Sequence, residues 1–207
     1  MTMMLPDLIL RDLTALPIRY STANRGRKVL PPEHLSVTVP HQDTPFWCWA
    51  AVASGIAYSY GNVTFPQHVV ASGVLGVTCQ PNGVKPPDCN CAGSLADALC
   101  VTDNLWDSPV MRSYSFPEVY RAIKAKRPLC VRGEDSNKAG HFVVIFGYST
   151  NGLHLLIADP SEGIQFPTFD RFVKAYRGIY AWNTTYETKS HKDVPHCVYT
   201  PPGVPQC

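Results

Sequence analysis

Residues 42–61 read QDTPFWCWAAVASGIAYSYG, and this segment predicts the central element of the fold. A polar turn that begins at Gln42 runs into a segment that is apolar on nearly all sides and stops at Gly61. Alanine and other good packing residues dominate the segment, so we predict a buried central helix over about residues 47–60. The pattern therefore puts one thiol, that of Cys48, at the N-terminus of a buried helix.

Cys48 is the first candidate for chemistry. Free amide groups and the helix dipole stabilise a thiolate at a helix N-terminus. A buried, inert thiol is the commoner fate of a cysteine in a globular protein, and that alternative stays open at this point. Gln42 lies six residues earlier, on a loop that can fold its amide over the sulfur. A side-chain amide and the Cys48 backbone amide would together stabilise the oxyanion that forms when a thiolate attacks a carbonyl.

A thiol nucleophile needs a base that holds its proton and later protonates the leaving amine. Of the seven histidines, His141 opens a predicted strand just before the apolar run 142–146, so its ring can face a cleft at the end of a sheet. His154 lies inside the next predicted strand, where its neighbours predict packing or exposure to solvent. His41 is close to Cys48 in sequence and is the serious rival for the role of base.

An imidazole base must also be held in one tautomer, usually by an acceptor at its second nitrogen. Asp159 follows His141 by 18 residues, one predicted hairpin away across the Asn151-Gly152 turn. The hairpin returns Asp159 to the sheet edge where His141 begins its strand. An Asp159-Pro160 pair that only initiates a turn is the alternative.

The rest of the chain changes from a helical to a strand-like period near Pro128. Further helices are predicted over residues 66–75, 94–100, 115–126 and 169–176. Strands are predicted over residues 129–132, 142–148, 153–158 and 178–186, with a loop over 76–93. Helices first and an antiparallel sheet second predict a two-lobed α+β fold with a cleft between the lobes.

We assign residues 1–38 to an N-terminal extension or pro-segment, 39–188 to a catalytic domain and 189–207 to a proline-rich tail.

Charge and hydropathy exclude several classes of protein. The net charge is +2, and the 18 Lys and Arg residues form no basic run, which argues against nucleic-acid binding. No segment has the length of a membrane span, and residues 1–20 lack the pattern of a secretory signal. We expect synthesis in the cytoplasm, with export by a specialised signal-less route as an open alternative.

Eight cysteines are many for a cytoplasmic protein. Four of them lie in and beyond the loop 76–93 and lack paired C-x-x-C spacing: Cys79, Cys89, Cys91 and Cys100. This spacing argues against a zinc site. A disulfide that clamps the loop, or plain buried thiols, is favoured instead. Cys197 and Cys207 bracket the tail and can pair with each other or with the core, whereas Cys130 is predicted to be a core residue. We expect neither a metal nor another cofactor.

Two segments resemble papain-like cysteine peptidases. Gln42, five further residues and then Cys48-Trp49-Ala50 resemble the nucleophile region. Residues 140–148 (GHFVVIFGY), followed by Asp159-Pro160, resemble the His and Asp regions. The similarity covers about residues 40–188, and the branch that the sequence resembles most is that of the bacterial avirulence-effector proteases of plant pathogens. Bacteriocin leader peptidases are more distant relatives.

This resemblance implies roles for four residues. Cys48 would be the nucleophile, His141 the acid and base, Asp159 the group that orients the imidazole, and Gln42 an oxyanion donor. It also implies the papain-like two-lobed fold, a protein or peptide substrate, a delivered bacterial effector or toxin, and a delivery system or cognate inhibitor protein as partner. The sequence departs from its relatives at residues 161–163, Ser-Glu-Gly, where an aromatic pair often precedes the glycine.

Two other functions use the same residues. A transglutaminase or glutamine deamidase would need the same Cys, His and Asp, since amide acyl transfer has the same chemical requirements. A non-enzymatic module that binds peptides in the cleft is the third hypothesis. The presence of all four site residues weighs against the non-enzymatic module but separates hydrolysis poorly from the other acyl transfers; peptide-bond hydrolysis is the leading hypothesis.

Overall fold

The computed structural model describes residues 33–62, 65–81, 89–151 and 153–197. Within these ranges the chain forms five helices: α1 (Cys48–Ser59), α2 (Gln67–Leu75), α3 (Leu95–Val101), α4 (Phe116–Lys124) and α5 (Phe169–Ala175). It also forms six strands: β1 (Glu33–His34), β2 (Leu129–Glu134), β3 (Gly140–Ser149), β4 (His154–Asp159), β5 (Gly163–Gln165) and β6 (Ala181–Glu187). The predicted α+β class is confirmed.

Helix α1 is the buried helix predicted from the opening stretch. All of its residues from Cys48 to Ala57 are buried except Ser54. Gly55 is required by close packing, because a Cβ there would lie 2.8 Å from the Thr38 carbonyl oxygen and from the Val39 Cα. The helix stops before Gly61, whose φ of +83° lies in the left-handed region that favours glycine. Helix α1 is therefore the axis around which the helical lobe packs.

Helices α2 and α3 pack against α1 and against each other. Gly76 ends α2 with a φ of +69°, and the Ser94 Oγ caps α3 by accepting from the Asp97 amide at 3.2 Å. Both helices begin and end within one residue of their predicted bounds. Their apolar side chains complete the core of the helical lobe: Val70, Ala71, Val74, Leu75, Leu95, Ala98 and Leu99.

Two disulfides join described residues. Cys79 and Cys89 are bonded across the loop that follows α2, with their Cα atoms 5.8 Å apart. This is the clamp that we favoured over a zinc site. Cys100 is bonded to Cys197, so of the two alternatives for Cys197 the structure has the one that ties the tail to the core. Cys130 is a free, buried thiol, as predicted.

Removing the Cys79–Cys89 disulfide is expected to lower the free energy of unfolding by about 2–3 kcal/mol. The bond closes a loop with a sequence separation of 10. In the chain-entropy model, its loss raises the conformational entropy of the unfolded state, and this lowers the free energy of unfolding by that amount. Urea unfolding of a Cys79→Ala, Cys89→Ala double variant measures the change. An unfolding midpoint equal to that of the wild-type protein would contradict the assigned role of the clamp.

The strands form one antiparallel sheet in the order β5-β4-β3-β2-β6, and β1 pairs with the far end of β3. The sequence analysis predicted β2, β3, β4 and β6 but neither of the short strands β1 and β5. A Cβ at Gly147 would lie 2.7 Å from the Glu33 carbonyl oxygen, so this glycine permits the approach of β1. The predicted turn between β3 and β4 includes Gly152, which lies outside the described residues.

Both faces of the sheet are covered, which explains the unbroken apolar run in β3. One face packs on α1 and its neighbours through Cys130, Phe142, Val144, Phe146, Leu156, Ala158 and Tyr186. The other face packs on α4 and α5 through Leu129, Val131, Val143, Ile145, Leu155, Ile157 and Trp182. Alternate residues of each strand therefore belong to different cores.

The described parts of both predicted terminal segments contact the sheet or the helices. The buried Leu35 donates its amide to the Phe146 carbonyl oxygen at 2.8 Å. In the tail, the buried Lys189 forms an ion pair with Asp103 at 3.2 Å. Residues 1–32 and 198–207 lie outside the described residues, so the boundaries of the extension and the tail stay predictions. No helix in the described ranges has the length and hydropathy to cross a membrane.

Candidate active site

Cys48 is the first residue of α1, and its neighbours on both sides are anchored. The buried Trp47 donates its indole N–H to the Cys89 carbonyl oxygen, and Trp49 donates to the Cys91 carbonyl oxygen at 3.2 Å. A Cβ at Gly93 would lie 2.4 Å from the Trp49 ring, so the loop and the indole pack without a gap. The two tryptophans therefore fix the main chain on which the thiol is carried.

The N-terminal end of α1 favours negative charge. Among the described residues, no side chain caps this end of the helix and its first turn contains no acidic residue. The amide groups of the first turn are thus not neutralised by a carboxylate, and the helix dipole acts on Cys48 itself. Cys48 is 8% exposed, which places the thiol just below the surface.

His141 and Asp159 come together as the hairpin predicted. His141 is near the start of β3 and Asp159 is the last residue of β4, and these two strands pair in antiparallel register with Val144 opposite Ala158. The His141 Nε2 and Asp159 Oδ1 are 2.9 Å apart. Cys48 is close enough to the His141 ring to raise the pKa of the imidazole, and Nδ1 is the ring nitrogen that does not face Asp159. The structure therefore brings a thiol, an imidazole and a carboxylate together in one cluster.

The electrostatic environment of these three side chains favours the protonated, charged form of the His141 imidazole. Burial lowers the pKa of His141, but its hydrogen bond to Asp159 and the nearby Cys48 outweigh burial and raise the pKa to about 9. Burial acts to raise the pKa of Asp159, yet the bond to His141 and the bonds from Ser161 and Tyr176 hold it well below its usual range. At neutral pH the His141–Asp159 pair is thus an ion pair.

Sequence analysis missed the residues that hold Asp159. The Asp159 Oδ1 accepts from the Ser161 amide at 2.8 Å and from the Ser161 hydroxyl at 3.0 Å. Oδ2 accepts from the Tyr176 hydroxyl at 2.7 Å, and the Arg177 guanidinium donates to the Ser161 Oγ at 2.9 Å. The sequence feature that could have indicated the role of Ser161 is the departure from the family pattern at residues 161–163. These bonds hold both oxygens of the carboxylate: Oδ1 is shared by Ser161 and His141, and Oδ2 accepts from Tyr176.

Tyr180 covers the imidazole. Its ring centroid is 5.6 Å from that of His141, with 32° between the ring planes. Tyr176 and Tyr180 exchange two backbone hydrogen bonds of 2.7 and 2.9 Å, which close the intervening turn. A Cβ at Gly133 would lie 2.8 Å from the Tyr180 Cβ, so that glycine admits the tyrosine. One short turn thus places a hydroxyl on Asp159 and a ring against His141.

Gln42 lies beside this group, but its amide hydrogens point elsewhere. The Gln42 Nε2 donates to the carbonyl oxygens of Thr44 at 2.9 Å and Pro45 at 2.8 Å. Its Oε1 is buried and has no hydrogen-bond partner among the described residues. Its backbone amide donates to the Pro160 carbonyl oxygen at 2.9 Å, next to Asp159. Donation to a substrate oxygen therefore requires a change of the Gln42 rotamer.

The rival histidines are engaged elsewhere. The exposed His41 directs its Nδ1 to the Gln42 carbonyl oxygen at 2.9 Å. His154 stacks on Phe166, with 4.8 Å between the ring centroids. In the part of the chain that the structure describes, no group of three or more His, Cys, Asp or Glu side chains could hold a metal ion.

Comparison with protein families gives one match that covers this whole site. The family described as papain-like cysteine protease AvrRpt2 matches residues 33–177, which include Gln42, Cys48, His141 and Asp159. The chain belongs to this family. The protease therefore has the papain-like fold that its sequence predicted, with the helical lobe first and the antiparallel sheet second.

The solved structures that are similar to the protease include the following two, both at low identity. One is a double glycine motif protease from an AMS/PCAT transporter in complex with the leader peptide; it has 18% identity and a TM-score of 0.48, over 77% of this chain and 96% of that chain. The other is the Pseudomonas avirulence protein AvrPphB, with 12% identity and a TM-score of 0.36, over 73% of this chain and 97% of that chain. A comparison with curated proteins gave no match. The family match, not these distant likenesses, identifies the family.

Replacing Asp159 of the protease by asparagine is expected to lower the pKa of His141 from about 9 toward its ordinary value of 6.5. The substitution removes the negative charge that holds the proton on the ring, so less remains to offset the lowering of the pKa by burial. NMR titration of the His141 ring protons in the wild-type and variant proteins measures the shift. An unchanged pKa would mean that the carboxylate does not act on the imidazole.

The same ion pair makes stability depend on pH. The folded pKa of His141 lies above its unfolded value, so the stabilisation is complete below about pH 6.5 and is lost as the pH rises through about 9. We expect Asp159→Asn to cost on the order of 1–3 kcal/mol at about pH 6 and much less above about pH 9. Denaturant unfolding at both pH values tests this, and an equal cost at both would contradict it.

Proposed function

We propose that this protease hydrolyses peptide bonds of protein substrates with Cys48 as nucleophile, His141 as acid and base, and Asp159 as the group that orients the imidazole. One observation carries the proposal: the His141 Nε2 lies 2.9 Å from the Oδ1 of the buried Asp159, and Cys48, the first residue of α1, is close enough to the same ring to raise its pKa. A nucleophile, a base and an orienting group in this order are what acyl transfer requires.

In the first half of the reaction, the Cys48 sulfur attacks as a thiolate whose proton is held by His141. It bonds to the carbonyl carbon of the scissile bond, and the carbonyl oxygen becomes an oxyanion. The protonated His141 then donates its proton to the leaving nitrogen, the C–N bond breaks, and a thioester to Cys48 remains. The pKa of His141, raised to about 9, keeps this proton available at neutral pH. Asp159 holds the imidazolium in place throughout.

In the second half, a water molecule attacks the thioester. His141, now neutral, takes a proton from the water, and the C–S bond breaks to release the carboxylic acid product and the sulfur. The Cys48 backbone amide at the N-terminal end of α1 is one donor to the oxyanion in both halves. Gln42 is the second donor after its amide turns away from the carbonyl oxygens of Thr44 and Pro45.

We also propose that the protease is a delivered bacterial effector or toxin that acts on a protein of another cell. The resemblance to avirulence-effector proteases supports this role. The Cys79–Cys89 and Cys100–Cys197 disulfides support the export that this role requires, since such bonds form and persist in oxidising environments.

The test is to sequence new N-termini across a proteome after incubation with the wild-type protein or with Cys48→Ala. We expect new N-termini in the wild-type sample only, and their flanking sequences report the cleavage preference. Equal cleavage by both proteins would reject the proposed nucleophile. Conversion of glutamine to glutamate or new crosslinks, without new N-termini, would replace hydrolysis by deamidation or transglutamination.

A further inference from the structure

Gln67 bonds to the main chain on both sides of Gln42. It is the first residue of α2 and is 4% exposed. Its Nε2 donates to the His41 carbonyl oxygen at 2.7 Å, and its Oε1 accepts from the Asp43 amide at 2.9 Å. One side chain thus pairs with the loop as a neighbouring strand would, through one donor and one acceptor. Both polar ends of this buried amide are satisfied.

A second anchor holds the same loop from the other lobe. The Gln42 amide donates to the carbonyl oxygen of Pro160, the residue that follows Asp159. The main chain of residues 41–43 is therefore fixed to the helical lobe through Gln67 and to the sheet lobe through Pro160. These bonds set where the Cα of Gln42 lies relative to both Cys48 and the His141–Asp159 pair.

We propose that Gln67 is a positioning residue that holds the oxyanion donor Gln42, and this inference rests on the proposed function. The Gln42 amide must turn to reach a substrate oxygen, and its unpartnered Oε1 means that the observed rotamer is incompletely bonded. When the Gln42 side chain turns, its amide reaches a defined position at the substrate oxygen only if the main chain of Gln42 stays fixed. Gln67 supplies that fixed point, since a donor displaced by about 1 Å loses most of its effect on the transition state.

Two variants of Gln67 separate its hydrogen bonds from its shape. Gln67→Met keeps the length and volume of the side chain but removes both bonds to the loop. Gln67→Glu keeps an acceptor for the Asp43 amide but places a carboxylate oxygen against the His41 carbonyl oxygen. Val70→Ala is the matched control, because Val70 is fully buried on the same helix and its truncation destabilises α2 without removing a bond to the loop.

The first measurement is peptide hydrolysis at saturating and limiting substrate. We expect Gln67→Met to lower kcat by about 10- to 100-fold and to change KM by no more than about twofold, because the lost interaction acts on the oxyanion. Gln67→Glu should lower kcat at least as much, because its buried carboxylate faces the His41 carbonyl oxygen, and Val70→Ala should keep the wild-type kcat. Alkylation of Cys48 by iodoacetamide, which forms no oxyanion, should proceed at the wild-type rate in all of them. Equal losses in hydrolysis and alkylation would overturn the proposal.

A double-mutant cycle tests whether Gln67 acts through Gln42. We expect Gln67→Met to cause no further loss of kcat in a Gln42→Ala background. The same fold loss in both backgrounds would overturn the proposal, because Gln67 would then act independently of the donor.

Hydrogen exchange of the Asp43 amide gives a result that does not depend on activity. We expect faster exchange in Gln67→Met than in Val70→Ala or the wild type, since this amide donates to the Gln67 Oε1. Unchanged exchange would overturn the proposed clamp even if activity fell. Faster exchange in a protein whose wild-type form cleaves no peptide would support the clamp and reject the proposed function.

Discussion

Replacing Cys48 by alanine is expected to abolish peptide hydrolysis, with a loss of about 10⁵-fold or more in kcat. The acyl-enzyme route has no first step without the sulfur, and removing a covalent nucleophile costs on this order in comparable acyl-transfer enzymes. Hydrolysis of a denatured protein substrate, followed by quantification of its fragments, measures the loss. Circular dichroism and thermal unfolding should stay close to wild type, since the substitution removes a single sulfur atom from the first residue of α1.

Cys130 provides the matched control. It is the other free cysteine among the described residues, it is fully buried in β2, and burial raises its pKa above the ordinary range of a thiol. A thiol held in its protonated form is a poor nucleophile, so Cys130→Ala should keep the wild-type kcat even if it lowers stability. Loss of activity in Cys130→Ala with retention in Cys48→Ala would reverse the assignment of the nucleophile.

Replacing His141 by alanine is expected to lower kcat by about 10³-fold or more. The variant loses the acid that protonates the leaving nitrogen and the base that activates water, while Cys48 and the oxyanion donors remain. In the wild-type protein, kcat should fall as the pH rises above about 9, because His141 then loses the proton that the leaving group needs. Measurement of kcat from acidic to alkaline pH in both proteins checks the two effects together.

Two other histidines serve as controls for His141. His154→Ala should keep kcat within about twofold of the wild-type value, since its ring stacks on Phe166 away from the thiol. His41→Ala tests the rival that lies close to Cys48 in sequence. If His41→Ala lost as much activity as we expect of His141→Ala, while His141→Ala stayed active, the base would be His41.

The features predicted correctly from the sequence are those set by local period. The bounds of α1 were predicted within one residue, because an apolar segment that stops at a glycine is a strong helix pattern. The meeting of His141 and Asp159 was predicted because a single hairpin separates them, and an antiparallel hairpin returns the chain to the edge it left. Neither inference needed knowledge of a distant contact.

Side-chain bonds between separate elements could not be predicted in this way. Tyr176 follows α5 and donates to Asp159 at the end of β4, and Gln67 reaches back from α2 to the loop around Gln42. No periodicity in the sequence specifies which polar side chain meets which backbone group over such distances. The pairing of Cys100 with Cys197, at a sequence separation of 97, likewise depends on where the tail packs.

Two further misses come from short segments. Strands β1 and β5 contain two and three residues, too few to display an alternating pattern, and β1 lies within the stretch that we assigned to an extension. The rotamer of Gln42 is set by the carbonyl oxygens of Thr44 and Pro45, which depend on the loop conformation and not on residue type. Its spacing from Cys48 could indicate a donor but not the direction of its amide.

The proposed mechanism requires that His141, held by Asp159, activates the thiol of Cys48. The most direct test is the rate at which iodoacetamide modifies Cys48 at about pH 6 in the wild type and in His141→Ala, with the modified residue located by peptide mapping. We predict that Cys48 alone is modified and that it reacts more than about 10-fold faster in the wild type. Equal rates in the two proteins, or modification of Cys130 in place of Cys48, would contradict the claim.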